Sequence, residues 1–257
     1  MLDDIIAATR RRVRTLDQAA LRHLALDRAP RRAPRSFESA LTRPGVNVIA
    51  EVKRRSPSRG ALAPDLDPVT QAAAYAAGGA AAISVLTEPE FFSGSLEDLE
   101  AVTRSVEIPV LRKDFIIDVA QVWESKLAGA DALLLIVAAL EDDLLARLLQ
   151  ETEDAGLEAL VEVHTGEEAD RATSAGARIV GVNNRDLATF TVDLATAESL
   201  AGRVGAAAAR VAESGIHTGA DAARMSAAGY TAVLVGEALV RADDPAALVA
   251  ELRSVAQ

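Results

Sequence analysis

The sequence contains no cysteine and few aromatic residues, and these shortages exclude several classes of protein. Without cysteine, neither disulfide bonds nor thiolate zinc sites can form. Aromatic residues make up 3% of the 257 residues and the net charge is −11, so the chain lacks the basic surface and the stacking rings that bind nucleic acids. We therefore expect no nucleic-acid partner.

Long hydrophobic runs are also missing. The longest, ALLLIVAAL at residues 132–140, is too short to cross a bilayer. The first residues, MLDDIIAATRRRVRTL, lack the basic-then-apolar order of a signal peptide and are typical of an amphipathic helix. These features predict a cytoplasmic protein that does not associate with membranes.

Lysine is scarce, although basic residues are not. Of 27 basic residues only three are lysines, at positions 53, 113 and 126. A lysine can release its proton when its surroundings lower its pKa, whereas arginine stays charged. Lys126 lies in a helical segment and is interpreted as a solvated helix residue. Lys53 and Lys113 stand at the ends of predicted strands, which makes them candidates for proton transfer.

Eight short runs of strand-forming residues alternate with alanine-rich segments whose apolar residues recur at helical spacing. The runs occupy residues 46–52, 81–87, 108–114, 132–138, 158–163, 178–184, 210–215 and 232–237. Such alternation predicts a parallel sheet covered by helices, either closed or doubly wound and open. No Gly-x-Gly-x-x-Gly follows the first strand and the units are evenly spaced, so we predict a closed (β/α)8 TIM barrel.

The predicted barrel spans residues 46–257, and no linker divides it. Residues 1–45 are predicted to form an N-terminal helical extension that packs on the barrel. We expect the chain to be one domain overall and a monomer.

Polar residues collect at the carboxyl ends of the predicted strands, where barrels of this kind hold their active sites. They are Glu51, Lys53 and Ser56 at the first strand, Lys113, Asp114 and Phe115 at the third, Glu162 and His164 at the fifth, Asn183 and Arg185 at the sixth, Glu213, Ser214 and Gly215 at the seventh, and Gly236 and Glu237 at the eighth. One charged residue at a strand end is more often part of a barrel-mouth ion pair than a catalyst. The coincidence of so many at one end favours an active site.

The first strand illustrates the point. Glu51 and Lys53 are two residues apart, so their side chains point to the same face. Burying a charge costs several kcal/mol unless it is paired and hydrogen-bonded. We interpret the two as a pair in which each residue offsets the burial of the other.

The three histidines are scattered, and no carboxylates cluster near them at ligand spacing, so no metal site is expected. His164 is interpreted as a bystander, and His23 and His217 as surface residues. Ser214-Gly215 and Gly236 precede helix starts after the seventh and eighth strands, which is the usual phosphate site of such barrels.

Eight segments in order resemble the indole-3-glycerol phosphate synthase family of tryptophan biosynthesis. They are IAEVKRRSPSRG, SVLTEPEFFSGSLEDL, VLRKDFI, GADALLLIVAAL, LVEVHT, GVNNRDL, VAESGIHT and LVGEAL, and together they cover nearly the whole chain from residue 46. The resemblance implies a (β/α)8 barrel that needs no cofactor. It implies conversion of the small phosphorylated substrate 1-(2-carboxyphenylamino)-1-deoxyribulose 5-phosphate to indole-3-glycerol phosphate, with loss of CO2 and water.

The resemblance also implies residue roles. It places the general acid at Lys113 and a catalytic carboxylate at Glu162, with Lys53 and Glu51 as a second acid–base pair. The further implied site residues are Asn183 and Arg185 near the substrate's carboxylate and hydroxyl groups, Glu213 and Ser214 on the seventh strand, Phe115 on the third, and Ser56, Gly215 and Gly236 at the phosphate. Glu237 falls where some relatives have serine, so its side chain is expected to turn away from the phosphate.

Three other functions compete with this hypothesis. The related phosphoribosylanthranilate isomerases use a cysteine base, which this chain lacks. A sugar-phosphate aldolase would need a lysine in a Schiff-base setting, and Lys113 would be the candidate. A barrel retained only as an assembly partner would not need the full set of acidic and basic residues at the strand ends.

Overall fold

The computed structural model describes residues 1–28, 33, 35–57, 59–186 and 189–254. Parts of the predicted extension (29–32 and 34) and the last three residues of the predicted barrel lie outside them. Eight parallel strands form a closed barrel in which each strand pairs with the next and the last pairs with the first. The predicted (β/α)8 barrel is therefore confirmed.

The strands follow the predicted runs closely. They are β1 (Asn47–Val52), β2 (Ala82–Leu86), β3 (Val110–Lys113), β4 (Ala132–Ile136), β5 (Glu158–Val163), β6 (Ile179–Asn183), β7 (Ala209–Glu213) and β8 (Ala232–Val235). Six strands end one or two residues before the predicted run does. Among them, β4 gives way to a 3-10 turn at Val137–Ala139, and β7 stops where Ser214 and Gly215 take positive φ angles of 65° and 81°. In the loop after β1, Arg55–Ser56 and Gly60–Ala61 pair as two short antiparallel strands.

The helices occupy the segments with helical spacing. They are α1 (Leu2–Val13), α2 (Gln18–Asp27), α3 (Phe37–Leu41), α4 (Pro68–Ala77), α5 (Pro89–Phe92), α6 (Leu96–Ser105), α7 (Val119–Ala128), α8 (Asp142–Asp154), α9 (Gly166–Ser174), α10 (Ala195–Leu200), α11 (Gly219–Ala227), α12 (Glu237–Arg241) and α13 (Pro245–Arg253). No helix among the described residues is long and apolar enough to cross a membrane.

Two apolar layers follow from the alternation of side chains along each strand. On β1, Val48, Ala50 and Val52 belong to the outer layer, which lies between the strands and the helices. Ile49 belongs to a separate inner cluster that fills the barrel. The inner cluster also contains Leu111, Leu134, Leu160, Val211 and Leu234 from other strands. An inward side chain that follows one of these residues along its strand therefore lies nearer the carboxyl end of the barrel.

The helices before β1 contact the barrel at both ends. In α3, Phe37 and Leu41 are fully buried and belong to the inner cluster, so α3 closes the end at which the strands begin. At the other end, the guanidinium of Arg12 on α1 donates to both carboxylate oxygens of Asp114, at 3.0 and 2.8 Å. The helices before β1 therefore contact both ends of the barrel, α3 at the end where the strands begin and α1 at the end where they finish.

A fully buried arginine anchors the strand that carries Lys113. Arg112 points outward from β3, toward α7, and its side chain is 1% exposed. Its five N–H groups all find acceptors. These acceptors are Asp114 (2.9 Å), Glu124 (2.7 Å), Thr87 (3.2 Å), Ser125 (3.0 Å) and the carbonyl of Gln121 (3.1 Å). Burial raises the pKa of Asp114, but Arg112 and Arg12 outweigh it, so this pKa is lowered.

We expect Arg112→Met to reduce the free energy of unfolding by about 3–5 kcal/mol, because it leaves buried carboxylates without their partner. Arg104→Met is the matched control, since its pair with Glu100 is a surface i,i+4 contact and the Arg104 side chain is 58% exposed. Urea denaturation of both variants measures the difference. Equal losses in the two variants would contradict this account of Arg112.

Candidate active site

The inward side chains change from apolar to polar at the carboxyl end of the barrel. On β1, Ile49 is followed at inward positions by Glu51 and Lys53, and on β5 Leu160 is followed by Glu162. The same step leads from Leu111 to Lys113 on β3, from Ile179 through Gly181 to Asn183 on β6 and from Val211 to Glu213 on β7, while Gly236 directly after β8 leaves space beyond Leu234. Strand alternation thus directs these polar groups into one space.

That space is a cavity of about 460 Å³, a size suited to a small-molecule ligand. All thirteen residues predicted for the site line it. They are Glu51, Lys53, Ser56, Lys113, Phe115, Glu162, Asn183, Arg185, Glu213, Ser214, Gly215, Gly236 and Glu237. The structure therefore brings the predicted site residues together, whatever the role of each.

Lys113 forms the centre of a buried polar cluster. Its ammonium lies 3.1 Å from Oε2 of Glu162 and 3.7 Å from Oε2 of Glu213. Oε1 of Glu162 accepts a hydrogen bond of 3.0 Å from the side-chain amide of Asn183. Gly181 makes room for the cluster, because a Cβ there would lie 2.1 Å from Oε1 of Glu213.

The pKa values in the cluster move in opposite directions. Burial raises the pKa of Glu213, and the nearby Glu162 adds to this, so that it reaches about 8. Burial alone would raise the pKa of Glu162, but Lys113, His164 and Asn183 outweigh burial and lower this pKa overall. Burial alone would lower the pKa of Lys113, yet Glu162 and Glu213 raise it overall. At neutral pH, Lys113 and Glu162 are therefore charged while Glu213 holds a proton.

Glu51 and Lys53 form the pair that their spacing predicts. The Lys53 ammonium is 2.5 Å from Oε1 of Glu51, and the two side chains are 17% and 5% exposed. Gly236 on the neighbouring strand leaves them space, since a Cβ there would lie 2.5 Å from the Glu51 oxygen and 3.0 Å from the ammonium. This second ion pair lies at the side of the cavity formed by β1 and β8.

Apolar residues form another part of the wall, and several of them were not predicted. The rings of Phe92 and Phe115 lie with centroids 6.0 Å apart and an angle of 37° between their planes. Phe190 also lines the cavity, as does α1 through Leu2 and Ile5. The sequence predicted a helix at α1 but gave no sign that this helix lines the cavity, because its position at the barrel mouth depends on the contact between Arg12 and Asp114.

Further charged residues surround Glu237, among the loops where the phosphate is expected. Glu237, at the start of α12, has its carboxylate 3.5 Å from Nε of Arg59 and 3.4 Å from Nε of Arg241. Arg59 and Arg185 line the cavity beside it. The Glu237 carboxylate is therefore paired with cations at the cavity edge.

The histidines differ in their surroundings. His23 is exposed, as predicted, and pairs with Asp27. His217 is exposed but borders the cavity. His164, expected to be a bystander, lies 3.3 Å from Glu162. The described residues contain no group of three or more potential ligands that could hold a metal ion.

Comparison with known proteins gives a consistent result. The family model described as indole-3-glycerol phosphate synthase matches residues 2–252. The indole-3-glycerol phosphate synthase of Kineococcus radiotolerans is 50% identical and covers 98% of this chain and 94% of its own. Those of Rhodococcus jostii and Mycolicibacterium smegmatis are each 51% identical, covering 98% of this chain and 94% and 93% of their own.

Solved structures support the fold alone. A crystal structure of 3-hexulose-6-phosphate synthase aligns with a TM-score of 0.67 at 18% identity and covers 81% of this chain and 99% of its own. At that identity the likeness concerns the barrel and not the chemistry.

The raised pKa of Glu213 predicts a specific pH dependence of stability. A carboxyl whose folded pKa of about 8 exceeds its unfolded value stabilises the fold below the unfolded pKa, and this contribution is lost as pH rises through 8. Glu213→Gln keeps the site neutral at every pH. We therefore expect the free energy of unfolding of the native protein to fall relative to that of Glu213→Gln between about pH 5 and pH 9.

Urea denaturation across this pH range measures the difference, with the exposed Glu90→Gln as the control. A constant difference between native protein and Glu213→Gln would show that Glu213 ionises normally.

Proposed function

The chain belongs to the indole-3-glycerol phosphate synthase family, and we propose that Lys113 is the acid that begins the reaction of this enzyme. The enzyme is a carboxy-lyase of tryptophan biosynthesis that acts on a small phosphorylated substrate. It converts 1-(2-carboxyphenylamino)-1-deoxyribulose 5-phosphate to indole-3-glycerol phosphate, CO2 and water. The observation that carries the proposal is the Lys113 ammonium held between Glu162 and Glu213 inside the cavity.

In the first step a carbon–carbon bond forms between the ring carbon that bears the carboxylate and the ketone carbon of the substrate. Lys113 donates its proton to the ketone oxygen, which becomes a hydroxyl group. The bond to the carboxylate then breaks, CO2 leaves and the electron pair returns to the ring. Arginine could polarise the ketone but would hardly donate a proton, which explains why lysine occupies this position.

In the second step the hydroxyl group leaves as water and a proton is removed to complete the indole. We propose Lys53 as the acid, because its ammonium belongs to the second ion pair of the cavity, the one with Glu51. Glu51 or Glu162 is the base. Glu213, with a pKa of about 8, can hold a proton near Lys113 between the steps. All acids and bases come from the chain, so we propose a reaction without a cofactor.

The remaining predicted residues are proposed to orient the substrate. Asn183 fixes the Glu162 carboxylate, and its own side-chain oxygen accepts a hydrogen bond of 3.0 Å from the backbone N–H of Arg185. The guanidinium of Arg185 lines the cavity and donates to the carbonyl of Phe190 at 3.3 Å, and its remaining N–H groups are proposed to bind the substrate's carboxylate or hydroxyl groups. Phe115, together with Phe92, offers ring faces and edges to the anthranilate ring.

The phosphate is proposed to bind at the edge of the cavity formed by the loops after β1, β7 and β8. Ser56, Ser214, Gly215 and Gly236 line this edge, with Lys53 nearby. The positive φ angles of Ser214 and Gly215 turn the backbone sharply at the end of β7. Loops after the seventh and eighth strands hold phosphate in many enzymes with this fold.

The competing reactions fit the site less well. A Schiff-base aldolase needs a neutral amine, whereas the pKa of Lys113 is raised by two carboxylates. We further propose a monomer that acts in the cytoplasm without nucleic acid. In support, the large exposed hydrophobic residues among those described are Met1, Leu24 and Leu26, and the net charge is −11.

We expect Lys113→Arg to fold and bind substrate but to lose about 10²- to 10⁴-fold in turnover, because the donated proton is lost while the positive charge stays. Lys126→Arg, at the end of α7, is the matched control. Indole fluorescence after addition of the substrate measures both. Near-normal turnover by Lys113→Arg would remove the proton-donor argument.

We expect Glu237→Gln to lower KM by about fivefold with little change in kcat. The substitution removes a negative charge beside the proposed phosphate position, whose repulsion weakens phosphate binding by about 1 kcal/mol. It also releases Arg59 to bind the phosphate. Added salt should reduce the difference, since exposed charges are screened.

The control is Glu90→Gln, on a rim residue whose side chain is 57% exposed. An unchanged or higher KM for Glu237→Gln would place the phosphate elsewhere.

A further inference from the structure

His164 lies at the next inward position beyond Glu162, and its side chain is 10% exposed. Its ring stands between two carboxylates. Nδ1 is 3.2 Å from Oε2 of Glu168, and Nε2 is 3.3 Å from Oε1 of Glu162. Nε2 is buried and has no well-aligned hydrogen bond to any described residue. The contact with Glu162 is therefore one between charges.

The start of α9 fixes the orientation of the ring. The Glu168 carboxylate accepts a hydrogen bond of 2.7 Å from the backbone N–H of His164, while the backbone N–H of Glu168 donates to Oγ1 of Thr165 at 3.2 Å. Two hydrogen bonds therefore fix Glu168 at the start of α9, one to its carboxylate and one from its backbone N–H. Because its Oε2 also faces Nδ1, the first proton of the imidazole lies on Nδ1 and Nε2 is directed at Glu162.

The two oxygens of Glu162 have different partners. Oε2 binds the Lys113 ammonium at 3.1 Å. Oε1 accepts from Asn183 at 3.0 Å and faces His164. If Lys113 turned toward a substrate oxygen with no other cation present, Glu162 would be a buried carboxylate without a compensating charge, which costs several kcal/mol.

We propose that His164 is a positioning residue: as an imidazolium it compensates the charge of Glu162, so that Lys113 can turn from Glu162 to the ketone oxygen. This inference rests on the proposed role of Lys113. The histidine does not touch the reacting atoms, and it acts through Glu162. Glu162 thereby faces two cations, Lys113 at Oε2 and His164 at Oε1.

The electrostatic surroundings support this role. The charged groups that face His164 are Glu162 on its own strand and Glu168 on α9, and beyond Glu162 lie Lys113 of β3 and Glu213 of β7. Burial would lower the pKa of His164, but Glu162 and Glu168 outweigh it and raise this pKa to about 10. The ring is therefore charged throughout the neutral range.

Nuclear magnetic resonance tests the charge directly. The chain has three histidines, so ring-labelled histidine gives three signals, and the one absent from His164→Gln belongs to His164. We expect that signal to stay at the imidazolium position between about pH 5 and pH 9 in the enzyme without substrate. A titration midpoint below about pH 7 would overturn the proposal. This measurement needs no folded variant beyond the one used for assignment and does not depend on the role of Lys113.

Kinetics test the effect on Lys113. We expect His164→Gln to lower kcat about tenfold with KM within about twofold, and the exposed His23→Gln to leave both unchanged. In Glu168→Gln the ring loses one anion and its pKa falls, so kcat should decrease with rising pH through that lower pKa. A merely structural role would not produce such a pH profile.

Normal kcat in a folded His164→Gln, or the native pH profile in Glu168→Gln, would overturn the inference. Turnover of the native enzyme with its substrate tests the proposed function separately, and Lys113→Arg tests the role of the lysine. The three outcomes are therefore distinguishable.

Discussion

The ion pair between Lys113 and Glu162 is the interaction on which the site depends. A charge inside a barrel is unfavourable unless partners surround it, and here each charged group is also the partner of another. Beside this pair, burial together with the charge of Glu162 raises the pKa of Glu213 to about 8, so Glu213 is protonated at neutral pH. Asn183 and His164 complete the surroundings of Glu162. The protonation states needed for acid–base chemistry thus follow from the same contacts that make the charges tolerable.

The outer face of β3 supports the inner one. Lys113 points into the cavity, while its neighbour Arg112 points outward and donates hydrogen bonds to Thr87, Ser125, Asp114 and Glu124. Asp114 then connects this buried cation to Arg12 of α1. One short strand therefore carries the proposed acid on one face and, on the other, the network that holds the N-terminal helix over the cavity mouth. A shift of α1 would be transmitted to the residue beside Lys113.

The sequence was sufficient for the barrel and for the polar residues that meet in the cavity, for an identifiable reason. Glu51 and Lys53, or Glu162 and Asn183, stand at strand ends where alternation and parallel pairing leave one direction for each side chain. Phe92 ends the short helix α5 and Phe190 lies in the loop after β6, and both were missed because no strand alternation indicates that these segments reach the cavity. His164 was predicted to be a bystander, although its spacing from Glu162 puts both on one face, because the contact with Glu168 depends on how α9 begins.

The sequence by itself determined which residues alternate, where the strands end and which charged side chains share a face, because these are properties of local backbone geometry. The family resemblance added the substrate. Only the tertiary structure decided that α1 forms part of the cavity wall, that Glu237 is paired with Arg59 and that Lys113 lies between Glu162 and Glu213. Those contacts join residues from different elements, and the pKa values that matter for chemistry arise from burial and charge at distances that exist only after the barrel has closed.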